Sequence, residues 1–90
     1  MTAPLRLRIV SRDGCSLCHE MAEALEVEFG PHAFELEWLD VDSCEDWTAR
    51  WGLLVPVLLD AEGRELSVTR LDAERVATVT GCRRRSGWTQ

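Results

Sequence analysis

The residues of this 90-residue chain with the most chemistry in them are Cys15 and Cys18, the two ends of Cys15-Ser16-Leu17-Cys18. Two cysteines three positions apart at the start of a helix share its first turn. Their Cα atoms then lie about 5–6 Å apart, the separation that a disulfide spans. A sulfur there also meets unpaired backbone N–H groups and the positive end of the helix dipole, and both favour the thiolate, the form that attacks. Cys15, nearer the helix end and the more exposed position, is the expected nucleophile. Cys18, one turn further in and beside an apolar stripe, is the expected resolving thiol. The chemistry these two specify is two-step dithiol–disulfide exchange.

Charged neighbours act on such a sulfur in both directions. Arg12 favours the thiolate, while Asp13 and Glu20 oppose it. His19 lies four positions after Cys15, within reach on a helix; it is a candidate modulator, with a solvent-facing, non-catalytic imidazole as the alternative. Cys15-Ser16-Leu17-Cys18-His19 also fits the pattern of covalent haem attachment, which needs an exported protein. The start of the chain has no basic stretch followed by an apolar run of signal-peptide length. A zinc site from Cys15, Cys18 and His19 lacks the second ligand pair that a closed site uses, and Cys44 and Cys82 do not supply it. No metal is assigned, and Cys44 and Cys82 are expected to be packing or inert thiols.

The second feature is Val55-Pro56, inside the apolar run Val55-Pro56-Val57-Leu58-Leu59. Proline gives no N–H to a sheet ladder, so it is excluded from a central strand. A cis Val55–Pro56 bond at the strand start, facing the helix start, reconciles the run with the proline; a trans proline at the strand start does so as well. In the cis arrangement the N–H and C=O of Val55 are left to hold an extended peptide or a thiol-bearing substrate.

The elements that must position these groups follow from periodicity. Leu5 to Val10 alternates and then turns continuously apolar, as a strand entering a sheet centre does. Leu17, Met21, Leu25 and Phe29 recur at every fourth position in a helix from Cys15 to Phe29, stopped by Gly30-Pro31. Phe34 to Val41 alternates as a second strand, parallel to the first. Asp42 or Ser43 is placed to cap a short helix through Cys44, Trp47 and Trp51, closed by Gly52, with both tryptophans on the face against the sheet. Asp60-Ala61-Glu62-Gly63 is turn chemistry, and Arg64 to Val68 returns antiparallel. A last helix runs from near Asp72 to Gly81. One domain over residues 1–81 and a loose basic tail over 82–90 complete the chain.

Composition sets the class. With 46% hydrophobic residues the chain is that of a globular protein. A net charge of -6 argues against a general nucleic-acid binder, which would want a basic face. No run approaches the roughly 20 apolar residues of a membrane helix. The expected setting is the cytoplasm, where structural disulfides are rare and a close cysteine pair points to redox work.

Leu7-Arg8-Ile9-Val10 followed by Cys15-Ser16-Leu17-Cys18, Asp40-Val41-Asp42 closing the second strand, and Val55-Pro56-Val57-Leu58 together resemble a glutaredoxin. More closely they resemble the short glutaredoxin-like proteins of bacteria, over residues 5–80. The resemblance implies an α/β, thioredoxin-like fold of order β-α-β-α-β-β-α, with a four-stranded mixed sheet flanked by helices and Pro56 cis. It implies Cys15 as attacking thiol, Cys18 as resolving thiol and Val55-Pro56 as substrate contact. The partners it implies are protein or small-molecule disulfides and a cellular thiol reductant, with the protein a monomer and no bound cofactor. The chain departs from the glutaredoxin pattern in having Ser16-Leu17 where Pro-Tyr is usual. It also has no Gly-Gly pair over Ser67 to Asp72, where only Asp72 is left as an acidic residue at a helix start. Glutathione is a candidate reductant whose binding signature is therefore incomplete. The alternatives are a non-catalytic adaptor on the same fold and a metal or cluster carrier.

Overall fold

In the computed structural model, which describes residues 4–85, Leu5–Ser11 forms the first strand, β1, at the heart of the sheet. Strand side chains alternate between faces, and here both faces are covered. Leu7 and Ile9 enter one core with Met21, Leu25, Phe29, Leu58, Leu66 and Val76. Val10 enters another with Val41, Trp51, Val57 and Leu59. Burial on both sides is why the strand turns continuously apolar.

The other elements are α1 (Ser16–Phe29), β2 (Phe34–Asp40), α2 (Glu45–Trp51), β3 (Val57–Leu59), β4 (Glu65–Val68) and α3 (Ala73–Thr80). The sheet order is β2-β1-β3-β4. β2 runs parallel to β1, and β3 is antiparallel to both β1 and β4. This is the expected order β-α-β-α-β-β-α and the four-stranded mixed sheet of a thioredoxin-like fold. α1 and α3 cover one face and α2 the other. Trp51 on α2 donates its indole N–H to Glu65 on β4 at 2.8 Å, and Trp47 packs beside it, as their spacing predicts. Among the described residues no helix is long and apolar enough to cross a membrane.

Three expectations need correction. Leu17 is not on the buried stripe of α1, which is Cys18, Met21, Leu25 and Phe29; Leu17 is 46% exposed. A repeat of four advances about 40° per step around a helix of 3.6 residues per turn, so Leu17 has turned about 120° away from Phe29. Second, β2 stops at Asp40, and neither Asp42 nor Ser43 caps α2. A 3-10 turn over Val41–Ser43 intervenes, capped by the Asp40 carboxylate, which accepts the Asp42 N–H at 2.9 Å. A short acidic side chain bonding its own backbone two residues on competes with a helix start. The residue before α2 is Cys44, with no side-chain cap bond.

Third, the segment after Gly81 is not loose where it is described. The Arg84 guanidinium pairs with Glu28 at 2.9 Å, and the Arg85 N–H bonds the Glu28 carbonyl. Both contacts tie the segment after Gly81 to the last turn of α1. Residues 86–90 of the expected tail lie outside the described residues.

Candidate functional site

The turn out of β1 sets the position of Cys15. Gly14 takes a left-handed conformation at φ 76°, and the Cys15 N–H closes the turn on the Arg12 carbonyl at 3.1 Å. Cys15 is then the N-cap of α1. Its sulfur accepts the Cys18 N–H at 3.2 Å, so one of the helix's open donors points at the sulfur. Cys15 and Cys18 are joined in a disulfide with Cα atoms 5.4 Å apart. Cys15 is half-buried, whereas Cys18 is 1% exposed at the head of the buried stripe. The access of the two sulfurs therefore differs in the sense expected from their order.

Val55-Pro56 is brought to the same end of the sheet. The antiparallel register pairs Val10 with Val57, which sets Pro56 across from Ser11, just before the turn to Cys15. The Val55–Pro56 peptide is cis. Pro56 is buried and Val55 partly so, and among the described residues neither the N–H nor the C=O of Val55 has a hydrogen-bond partner. The flanking carbonyls are both taken by Thr69, whose N–H bonds Pro56 at 2.7 Å and whose hydroxyl bonds Leu54 at 2.8 Å. Thr69 was not singled out from the sequence. It sits at φ 70°, a left-handed conformation that ordinarily falls to glycine.

Apolar side chains surround this end. Leu53 is 98% exposed, and Leu54 and Leu17 are also open to solvent. A groove of about 320 Å³ runs from Leu17, Glu20 and Met21 on α1 to Thr69, Arg70 and Leu71. A larger open groove of about 1150 Å³ follows β4 and contains neither cysteine of the pair.

The two candidate modulators are engaged elsewhere. Arg12 forks the Asp42 carboxylate at 2.9 and 3.1 Å and donates its third bond to the Gly52 carbonyl at 2.9 Å. The hydrogen-bonded pair holds the Asp42 carboxyl below its ordinary range and the Arg12 guanidinium above its own. His19 faces β2, its ring 5.3 Å from that of Trp38. Asp72 accepts the Arg75 N–H at 3.1 Å as the cap of α3. Cys44 and Cys82 are free thiols, and among the described residues no three His, Cys, Asp or Glu side chains are grouped to hold a metal ion.

Comparison with known proteins places this arrangement. The family described as Glutaredoxin-like domain (DUF836) matches residues 6–79. The solution structure of protein Ne2328 from Nitrosomonas europaea superposes with a TM-score of 0.73 at 32% identity, covering 88% of this chain and 94% of that one. The X-ray structure of the target protein XcR50 from X. campestris gives a TM-score of 0.65 at 32% identity, over 83% of this chain and 95% of that one. None of the curated proteins matches.

Proposed function

This chain belongs to the glutaredoxin-like family, and on that premise we propose that it is a thiol–disulfide oxidoreductase acting through Cys15 and Cys18. The observation that carries the reading is the disulfide at the start of α1, with one sulfur accessible and one buried. In the reduced protein the Cys15 thiolate attacks a substrate disulfide, forms a mixed disulfide and expels one substrate thiolate. The Cys18 thiolate then attacks the Cys15 sulfur and expels the second. Two electrons pass to the substrate, two protons complete its thiols, and the Cys15–Cys18 disulfide remains. A cellular thiol reductant returns it to the dithiol.

Substrates in this reading are protein or small-molecule disulfides, laid beside the unpaired backbone groups of Val55 as an added strand would be. The protein acts as a monomer in the cytoplasm. Glutathione is one candidate reductant and a thioredoxin system the other. The engagement of Asp72 in its helix cap favours the second, since that carboxylate is the one acidic group the glutaredoxin pattern leaves there.

A redox titration followed by thiol counting tests the reading. It expects a single two-electron transition assigned to Cys15 and Cys18, and disulfide reduction that Cys15→Ser abolishes. Activity left intact in that variant would remove Cys15 as the nucleophile. Running the assay with glutathione and with a thioredoxin system assigns the reductant.

A further inference from the structure

Arg12 links two loops at the same end of the sheet, the turn that leads to Cys15 and the segment that leads to Val55. It precedes Cys15 by three residues, and the carbonyl it contacts, that of Gly52, precedes Val55 by three. The backbone of Arg12 already holds Cys15, whose N–H bonds the Arg12 carbonyl at 3.1 Å. Its side chain reaches in the opposite direction. Nε and Nη2 fork Asp42 in the 3-10 turn, and Nη1 takes the Gly52 carbonyl at the end of α2. The Gly52 N–H is committed to Thr48 at 2.9 Å, so its carbonyl leaves the helix with a fixed direction. A Cβ at Gly52 would collide with the Thr48 carbonyl, whereas it would stand at ordinary contact distance, 3.5 Å, from Arg12 Nη2, so it is the backbone turn that requires glycine there.

We propose that Arg12 is a positioning residue that fixes the separation between the Cys15 loop and the Val55 loop, and so the place of an extended substrate against the attacking sulfur. This rests on the oxidoreductase reading of the site. The role is mechanical. With both Asp42 oxygens on the guanidinium, the positive charge is answered locally, and what Arg12 transmits to Cys15 is position. A planar fork can hold a carboxylate and a carbonyl at once; a lysine ammonium keeps the charge but cannot reproduce that geometry.

The experiment compares Arg12→Lys and Asp42→Asn with the wild type, full length and reduced. Three readouts are taken: turnover of an extended peptide disulfide and of bis(2-hydroxyethyl) disulfide, the pH dependence of Cys15 alkylation by iodoacetamide followed by mass spectrometry, and amide exchange at Leu54, whose N–H bonds the Trp51 carbonyl across Gly52 at 2.8 Å. Both variants are expected to lose about tenfold in kcat/KM on the peptide, chiefly through KM, and to stay within about twofold on the small disulfide. The alkylation midpoint should stay in place while Leu54 exchange rises. Wild-type peptide turnover in Arg12→Lys overturns the proposal. So does a raised alkylation midpoint in Asp42→Asn with equal losses on both disulfides, because the action is then electrostatic. If the wild type reduces neither disulfide, the oxidoreductase reading fails, and unchanged Leu54 exchange in Arg12→Lys still overturns the brace by itself.

Discussion

Thr69 donates its backbone N–H to the Pro56 carbonyl at 2.7 Å from a left-handed conformation, φ 70°, that a β-branched residue rarely adopts. The cost of that backbone, about 1 kcal/mol, is met by a second bond from its hydroxyl to Leu54.

Two substitutions separate these effects. Thr69→Gly relieves the backbone and loses the hydroxyl bond, each about 1 kcal/mol, so stability should change little. Thr69→Val keeps the backbone cost and loses the bond, and should be less stable by about 1 kcal/mol. Both should speed amide exchange at Leu54, whose N–H bonds the Trp51 carbonyl. Denaturant melts check the first pair of outcomes; a Thr69→Val protein as stable as the wild type would show that the hydroxyl contributes nothing.

Cys18→Ser should accumulate the mixed disulfide. With the resolving sulfur gone, Cys15 still attacks, but the second displacement has no partner inside the molecule. Intact-mass analysis after a peptide disulfide is added should find one peptide adduct on Cys15, released by excess dithiol. The same treatment of Cys15→Ser should leave no adduct there, because Cys18 is buried. An adduct on Cys18 in that variant would contradict the order of attack.

Much of this arrangement is legible in the sequence, and the remainder fails for a common reason. The alternation of Leu7, Ile9 and Val10, the helical repeat ending at Phe29 and the Gly81 stop mark β1, α1 and the end of α3, because each records a local periodicity or cap. The cysteine spacing and the proline mark the candidate site for the same reason. Arg12 reads as an electrostatic neighbour of Cys15 because the two are close in sequence. Its real partners, Asp42 and Gly52, lie 30 and 40 residues away. Thr69 bonds across 15 residues to Leu54, and Arg84 across 56 to Glu28. Nothing local distinguishes these side chains from solvated ones. Leu17 misleads in another way, since a fourfold repeat drifts off the face it begins on.

The closure at the end of α1 is open to a direct test. No basic residue occupies the last turn of that helix, and Arg84 and Arg85 bring an ion pair and an N–H to Glu28 from outside. Arg85→Pro removes the N–H donor together with the side chain beside Gly30, so Arg85→Ala is its control; the proline should cost about 1 kcal/mol more than the alanine and raise exchange in residues 26–30 without affecting β1. Arg84→Gln should cost less, about 0.5 kcal/mol, since the pair is partly solvated. Exchange at the end of α1 unaffected by Arg85→Pro would mean that the strap adds nothing to the helix.

Acid should weaken the hairpin between β3 and β4 through the carboxyl of Asp60. Asp60 is 7% exposed and its carboxylate accepts from the N–H groups of Glu62 and Arg64 at 2.9 and 2.8 Å and from the Arg64 side chain. Burial works to raise its pKa, but the Arg64 and Glu62 bonds outweigh it and leave the carboxyl below its ordinary range. A carboxyl depressed in the folded state stabilises above its unfolded value, about 3.9, and that contribution is lost as pH falls toward the folded value. Stability measured by urea melts from about pH 6 down to about pH 3 should therefore fall more steeply for the wild type than for Asp60→Asn. At about pH 6 the variant should already be weaker by about 1–3 kcal/mol, having lost charge-assisted bonds at a buried site. Parallel acid profiles for the two proteins would mean that Asp60 is not held as a carboxylate by the turn.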